Sequence, residues 1–547
     1  MSATTNWIAN RVSRLLPPSP SKSQLQVGDA AAKSKTTRQG GPASAANIVL
    51  SSLPVPATPV SSAPTPFTSA SSPPASPAAA SRSTHERLLA RLKKAGEGLS
   101  PRQLRQLLDD LRAVVDTRIS EVEGGLRARH LADWYRAAPA AQRQDLWFLM
   151  SEQFVANPEV VKRAQARYAA AVGTPDEAAA EVIYRRSTVS PRRRLLQRFS
   201  AFPQGIRFLV DVRADMLPSL RGDKRLQALD VEMEYMFSTW FDVGFLELRR
   251  ISWDSPASLI EKLIKYEAVH DIKSWADVKN RLDSDRRCYG FFHPRLPDEP
   301  LIFVEVALLD AIAECITPLL DEQALASDLK KATTAIFYSI SNTQAGLRGV
   351  GFGDSLIKRV VDDLKQEFPR LKVFSTLSPI PGFRAWFTKN AQVLLTRLSE
   401  KEHAQLARAL GQGKLPATNL SAAALLEAAD QAAGKGLDPA VERADKRPAE
   451  SGADAPLAVF LLRSAAQYLS RELQDGKPLD PVARFHLGNG ARVERLNWAG
   501  DPSPKGLRQS FGMMVNYLYD LKRLDKYRAM LAAGKIAAAP DIEKLTV

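Results

Sequence analysis

Two regimes of hydrophobic spacing divide the chain near residue 240. From His85 to about Trp240 apolar residues return at steps of three and four: Leu88-Leu89, Leu92, Leu104, Leu107-Leu108, Leu111 and Val114-Val115 fall on one stripe. That interval marks helices with one buried face. Ser100-Pro101 and Ser190-Pro191 each offer a cap followed by proline at the first helical position, and Gly96, Gly98, Pro139, Pro158 and Pro203 punctuate the run. The pattern predicts an all-helical bundle over residues 84–240, suited to packing and oligomer contacts. Its histidines, His85 and His130, sit among charged positions and suggest no chemistry.

From about Asp242 the period changes. Arg287–Phe292 and Pro300–Ala307 read as strands joined by the turn-rich His293–Asp298. Further strands are predicted at 335–340 and 373–377, with an amphipathic helix over Asp354–Phe368 between them. A polar, alanine-rich stretch from about Asn390 to Ala455 reads as helices with loops, weakest at Gly411–Leu415 and Gly434–Arg447. Val482–Leu487 and Ala491–Trp498 flank Gly488-Asn489-Gly490, and Asn-Gly favours the positive φ angles of a tight hairpin. This puts His486 on a strand. A last amphipathic helix is predicted over about Gly506–Leu521, carrying Tyr517 and Tyr519. The expected fold class is α+β, with the helical bundle followed by a mixed α/β catalytic domain over residues 241–535.

Residues 1–83 differ from both parts. They are rich in Ser, Ala, Pro and Thr and contain a single acid, Asp29, so they bury too little apolar surface to offset the entropy of ordering. A disordered low-complexity tail is expected. The basic, acid-free start Trp7–Leu16 also fits an organelle transit peptide, which makes mitochondrial the alternative to a cytoplasmic location.

Composition narrows the function classes. The chain of 547 residues is 45% hydrophobic and 25% charged, as ordinary globular proteins are. It has no run of about 18 apolar residues, so no membrane helix is expected. Its two cysteines, Cys288 and Cys315, make neither a disulfide framework nor a zinc spacing. The net charge of +15 comes from basic residues spread along the chain without aromatic interleaving, which argues against nucleic acid and suits a polyanionic small ligand. No H-x-x-x-H or H-E-x-x-H spacing is present, the acids form no D-x-D pair with phosphate or magnesium logic, and no metal site is expected.

The chemistry-bearing stretch is Ile336 to Phe383. An apolar run, the turn Arg348-Gly349-Val350-Gly351-Phe352-Gly353-Asp354, an amphipathic helix and a second apolar run follow one another. Glycines let a ligand approach the backbone, and a helix start offers N–H groups and a positive dipole end to an anion. The spacing R-x-x-G-x-G is the pyrophosphate-loop pattern of GNAT-type acyltransferases, so coenzyme A is the first ligand to consider. Ser378 lies at a strand end in Ser378-Pro-Ile-Pro-Gly-Phe383, where two prolines fix the backbone; no G-x-S-x-G elbow surrounds it. His486 can move a proton if it borders a ligand cleft. Tyr519 is a candidate pocket-lining residue.

These blocks together resemble the malonyl-CoA decarboxylase family. The resemblance rests on Phe337–Gln344, Arg348–Asp354, Leu356–Val361, Phe374–Phe383, Pro481–Ala491 and Asn516–Tyr519, with Arg287–Tyr289, Glu299-Pro300 and Asn497-Trp498 beside them, and covers about residues 84–525. It implies a helical domain followed by a GNAT-like catalytic domain, a working pair at Ser378 and His486, and a CoA-binding loop at Arg348–Asp354. It also implies malonyl-CoA as substrate, no metal or prosthetic group, a homotetramer, and a place in fatty acid and malonate metabolism. Gly351 departs from the animal members, which carry glutamate there, and this removes any carboxylate role at that position. Two other classes share the loop: a GNAT-type acyltransferase passing an acyl group to an amine, and a non-catalytic CoA-sensing protein.

Overall fold

A computed structural model of the chain describes residues 98–351, 356–410, 421–435 and 455–546. The tail 1–83, the apolar positions at 88, 89 and 92, Gly411–Leu415 and most of Gly434–Arg447 therefore lie outside the described residues, as do Phe352, Gly353 and Asp354.

The first part is helical as its periodicity predicts. Eight α-helices run from Pro101–Val114 to Gln227–Trp240, and Leu107, Leu111 and Val114 of the first point inward. Ser100 caps that helix through its hydroxyl, with Gln103 returning the bond in a capping box. Ser190 occupies the corresponding position before Pro191, but its hydroxyl donates to Glu232 at 2.7 Å instead of capping.

The second part is built on one eight-stranded sheet. Its strands are β1 (Glu247–Ile251), β2 (Arg286–His293), β3 (Leu296–Leu309), β4 (Thr334–Asn342), β5 (Val373–Thr376), β6 (Ser378–Pro379), β9 (Arg492–Asn497) and β10 (Met514–Leu518); the short β7 (Leu473–Gln474) and β8 (Lys477–Pro478) pair separately. The order is β1-β2-β3-β4-β5-β10-β6, with β9 also on β10. Among the strand pairs of the described residues only β4 and β5 run parallel, the others being antiparallel, and Val493 of β9 adds an isolated parallel bridge to Ala538. This follows from sequence order, because the helix Leu356–Glu367 crosses over between β4 and β5, as expected. β2 and β3 extend into the expected 293–298 turn, pairing His293 with Leu296. The helices Ala257–Tyr266 and Trp275–Arg281 and strand β1 were not evident from the sequence. Bundle and sheet belong to one compact unit.

Two expectations are corrected. Residues 481–488 form an α-helix, not a hairpin strand: Asp480 accepts bonds from the Val482 and Ala483 N–H groups, and Pro481 opens the first turn. The Asn489-Gly490 pair ends this helix, with Asn489 N–H bonded to Phe485 O, Ala491 N–H to His486 O, and Gly490 at φ +84°. Likewise 506–521 is not one helix. The helix Pro504–Ser510 stops where Phe511 and Gly512 take φ values of 54° and 78°, and the chain re-enters the sheet as β10. Tyr517 is therefore a strand residue, and Tyr519 follows directly on β10.

Candidate active site

The parallel pairing of β4 with β5 runs from Thr334↔Val373 to Phe337↔Thr376 and then ends, although β4 continues to Asn342 and the other strand resumes as Ser378–Pro379 against β10. The two strands part here. The resulting wedge opens at the C-terminal end of β4, from which the chain enters the glycine-rich turn. In open sheets with crossover helices this is the end where ligands enter. Buried Glu267 fixes the β4 lip, accepting hydrogen bonds from Ser339 Oγ at 2.8 Å and Ser341 Oγ at 3.1 Å.

The turn itself is held from the helical part. Arg213, 2% exposed on the helix Gly205–Met216, donates to the carbonyls of Gly346 and Arg348, each at 2.8 Å, while Asp230 holds its Nε at 2.7 Å. A trans peptide sets its C=O and N–H in opposite directions, so fixing the Arg348 carbonyl toward Arg213 turns the Gly349 N–H away from the bundle. Gly349 has φ +86°, a conformation that glycine adopts without the Cβ penalty. A Cβ on Gly346 would lie 1.9 Å from Val210 O, so the turn packs directly on the bundle backbone. Arg348 and Gly351 are exposed and Val350 is buried.

Behind the wedge the structure brings together Ser378, His486 and Tyr519, all buried. Ser378 Oγ is 3.2 Å from His486 Nε2, and His486 Nδ1 is 2.8 Å from Tyr519 Oη. The Ser378 hydroxyl donates to Thr376 Oγ1 at 2.9 Å, and Thr376 Oγ1 also accepts the Tyr517 N–H at 3.1 Å. With the serine proton turned to Thr376, the serine lone pair faces the imidazole. That assigns the ring proton to Nε2 and leaves Nδ1 to accept from Tyr519. Burial pushes the Tyr519 phenol well above its ordinary value, which keeps it a donor. Burial also lowers the His486 pKa to about 3, so the ring is neutral near pH 7. Tyr517 stacks on the ring, centroids 4.7 Å apart and planes 25° from parallel, which fixes its tilt.

The sequence singled out Ser378, His486 and Tyr519 individually, and the fold joins them in one chain of hydrogen bonds. It did not single out Thr376, whose signal is its i−2 spacing from Ser378 along a strand line, or Arg213, which carries no local signal. Tyr519 contacts the imidazole, and the exposed turn at 348–351 stands apart from this buried chain.

The comparisons with known proteins agree with one another. The malonyl-CoA decarboxylase N-terminal domain profile matches residues 154–241, and the malonyl-CoA decarboxylase C-terminal domain profile matches residues 244–547. The goose (Anser anser anser) protein named malonyl-CoA decarboxylase, mitochondrial, is 39% identical over 341 residues, which is 61% of this chain and 65% of the goose chain. The rat (Rattus norvegicus) protein of the same name is 37% identical over 395 residues, covering 70% of this chain and 77% of its own. The crystal structure of malonyl-CoA decarboxylase from Rhodopseudomonas palustris superposes with a TM-score of 0.67 at 38% identity, covering 81% of this chain and 99% of that one. The Cupriavidus metallidurans malonyl-CoA decarboxylase gives a TM-score of 0.63 at 40% identity, covering 81% and 100%. Among the described residues no helix is long and apolar enough to cross a membrane. The chain belongs to the malonyl-CoA decarboxylase family, an enzyme family of carboxy-lyases.

Proposed function

We propose that this chain converts malonyl-CoA to acetyl-CoA and CO₂ with its own side chains, through Ser378 and His486. The observation that carries the proposal is the buried Tyr519–His486–Ser378–Thr376 chain of hydrogen bonds behind the β4/β5 wedge. The motif at 348–354 takes the pyrophosphate: the Gly349 N–H and the exposed Arg348 are its described donors, and Gly351, Phe352, Gly353 and Asp354 complete it in sequence. The pantetheine arm enters the wedge, as a GNAT-like sheet accommodates it.

On this reading the substrate is its own electron sink. The C–C bond to the carboxylate breaks, CO₂ leaves, and the electron pair moves into the thioester carbonyl as an enolate. The α-carbon then takes a proton. His486 supplies it from Nε2, the nitrogen facing Ser378. The neutral ring takes up a second proton from solvent, on Nδ1, as malonyl-CoA binds, because a malonyl carboxylate brings negative charge to a desolvated imidazole and opposite charge favours the cation; the Tyr519 hydroxyl then turns to accept from Nδ1–H, and the ring is neutral again once Nε2 has given up its proton. On binding, the Ser378 hydroxyl turns from Thr376 to donate to the malonyl group and holds it against the ring, and no covalent acyl-enzyme forms. A closed, dry site strengthens each of these contacts.

The test is release of ¹⁴CO₂ from carboxyl-labelled malonyl-CoA with no acyl acceptor present. Release is expected in the wild type and is expected to fall by about two to four orders of magnitude in His486→Ala, the usual reach of general acid catalysis, and by a comparable or smaller factor in Ser378→Ala. Product formation only with an added amine would mean an acyltransferase instead. Near-normal release from both folded variants would remove the pair. The same proposal includes the homotetramer implied by family resemblance, measurable by sedimentation, and a cytoplasmic location, with mitochondrial import as the alternative.

A further inference from the structure

Asp480 has two oxygens with separate tasks. Oδ1 accepts from the N–H groups of Val482 at 2.9 Å and Ala483 at 3.0 Å, capping the helix that carries His486. Oδ2 accepts from the Gly382 N–H at 3.2 Å and from the Tyr468 hydroxyl at 3.4 Å. Gly382 closes the Ser378-Pro-Ile-Pro-Gly turn, four residues beyond the serine. The room for this contact is specific: a Cβ on Gly382 would stand 2.2 Å from Tyr468 Oη and 3.3 Å from Asp480 Oδ2.

A helix cap alone does not call for this residue. An N-cap needs one acceptor oxygen, and serine supplies it well. The helices beginning after Ser100, Ser120, Ser274, Ser399 and Ser503 in this chain are all capped through the serine hydroxyl. At position 480 there is instead a carboxylate with 0% exposure and no cation bonded to it among the described residues. Burying a charged group without a counter-charge is unfavourable unless hydrogen bonds satisfy it, and here four donors do so. The second oxygen is what distinguishes aspartate from serine, and that oxygen reaches the other half of the site.

We propose that Asp480 is a positioning residue for the decarboxylation: one carboxylate ties the turn bearing Ser378 to the helix bearing His486 and so sets the distance between their side chains. The proposal rests on the Ser378–His486 reading above. The prolines on either side of Ile380 stiffen the turn, and the first helical turn is stiffened by Pro481, so the carboxylate bonded to both adds a tie at the backbone to the Ser378–His486 contact and fixes the register of two segments whose working residues lie 108 positions apart.

Asp480→Asn separates the two tasks. Its remaining oxygen still caps the helix, while the amide group in place of Oδ2 cannot accept from the Gly382 N–H. The expected result is a folded enzyme with an unchanged KM for malonyl-CoA and a kcat reduced about ten- to a hundredfold, the range that follows a misplacement of about 1 Å. In a Ser378→Ala background the same change should cost less than about twofold, since the register no longer matters. Asp480→Ser, which keeps a cap oxygen and removes the bridge entirely, should repeat both results and serves if Asp480→Asn does not fold. A wild-type kcat in either folded variant overturns the positioning role and leaves the pair standing. An undiminished loss in the Ser378→Ala background also overturns it, because the effect would then act elsewhere. Normal CO₂ release by Ser378→Ala alone overturns the pair, and this proposal with it.

Discussion

Replacing Tyr519 by phenylalanine removes one oxygen from the site and little else. The ring keeps its contact with Phe337, centroids 6.5 Å apart, so packing is retained. What disappears is the 2.8 Å hydrogen bond to His486 Nδ1. Both partners are nearly inaccessible, His486 at 3% and Tyr519 at 4%, so water cannot replace the lost donor. A buried ring nitrogen left without a partner costs about 1–3 kcal/mol, and full burial places this case in the upper half of that range. If the cost falls on the transition state, where the Nδ1–H of the ring giving up its Nε2 proton needs the Tyr519 oxygen as acceptor, about 2–3 kcal/mol corresponds to a kcat reduced about 30- to 150-fold. The KM for malonyl-CoA should not move, because the phenol lies behind the imidazole rather than at the turn. The assay is ¹⁴CO₂ release at saturating malonyl-CoA, with circular dichroism to confirm folding. Tyr519→Phe should add almost nothing in a His486→Asn background, since the two act as one unit. A single variant within twofold of wild type, or a loss that multiplies fully in the double variant, would refute the relay.

Other outcomes follow from the same contacts. His486 has a folded pKa of about 3 against an ordinary 6.5, so below pH 6.5 the unfolded chain binds a proton that the folded one excludes; its stability contribution is complete above pH 6.5 and is lost by about 1.4 kcal/mol per pH unit as pH falls toward 3. The wild type should therefore lose stability between pH 6.5 and 5 more steeply than His486→Asn, and parallel urea-denaturation profiles would contradict the neutral buried ring. Tyr517 Oη is buried with no hydrogen-bond partner among the described residues, so Tyr517→Phe should hold or raise the Tm by differential scanning calorimetry, and a drop of several degrees would contradict this. Gly349→Val forces a β-branched residue into φ +86° and should raise the calorimetric Kd for CoA; unchanged binding by the folded variant would refute the turn as the phosphate site. Residues 1–40 fused to a reporter should leave it in the cytoplasm, and delivery to mitochondria would establish the alternative location.

The parts legible in the sequence were those whose signal is local. The strand, turn and helix around Arg348–Gly351 carry their own periodicity and glycines, and the bundle announces itself by its stripe. His486 was legible as a residue but not as a helical one, because Asn489-Gly490 signals a hairpin and a helix stop equally well. Asp480-Pro481, a cap followed by proline, was the discriminating signal, and it lies seven residues before the helix end. β10 was misread for another reason: Met514, Val515, Asn516 and Tyr517 are all buried, so no alternation exposes a strand period. The pairing of Ser378 with His486 came from resemblance, and their contact is a property of the fold, made by segments 108 residues apart.

Arg213 carries a consequence for how such an enzyme can be divided. A polypeptide beginning at Asp242 would still contain Ser378, His486 and Tyr519, and the whole sheet. It would nevertheless leave the Gly346 and Arg348 carbonyls without the guanidinium that orients them, and would strip the backbone at Val210 from beneath Gly346. The bundle is thus a structural wall of the glycine-rich turn and not a detachable appendage. Any recombination that moved the sheet portion onto a new partner would inherit Ser378, His486 and Tyr519 but would have to rebuild the support beneath the turn.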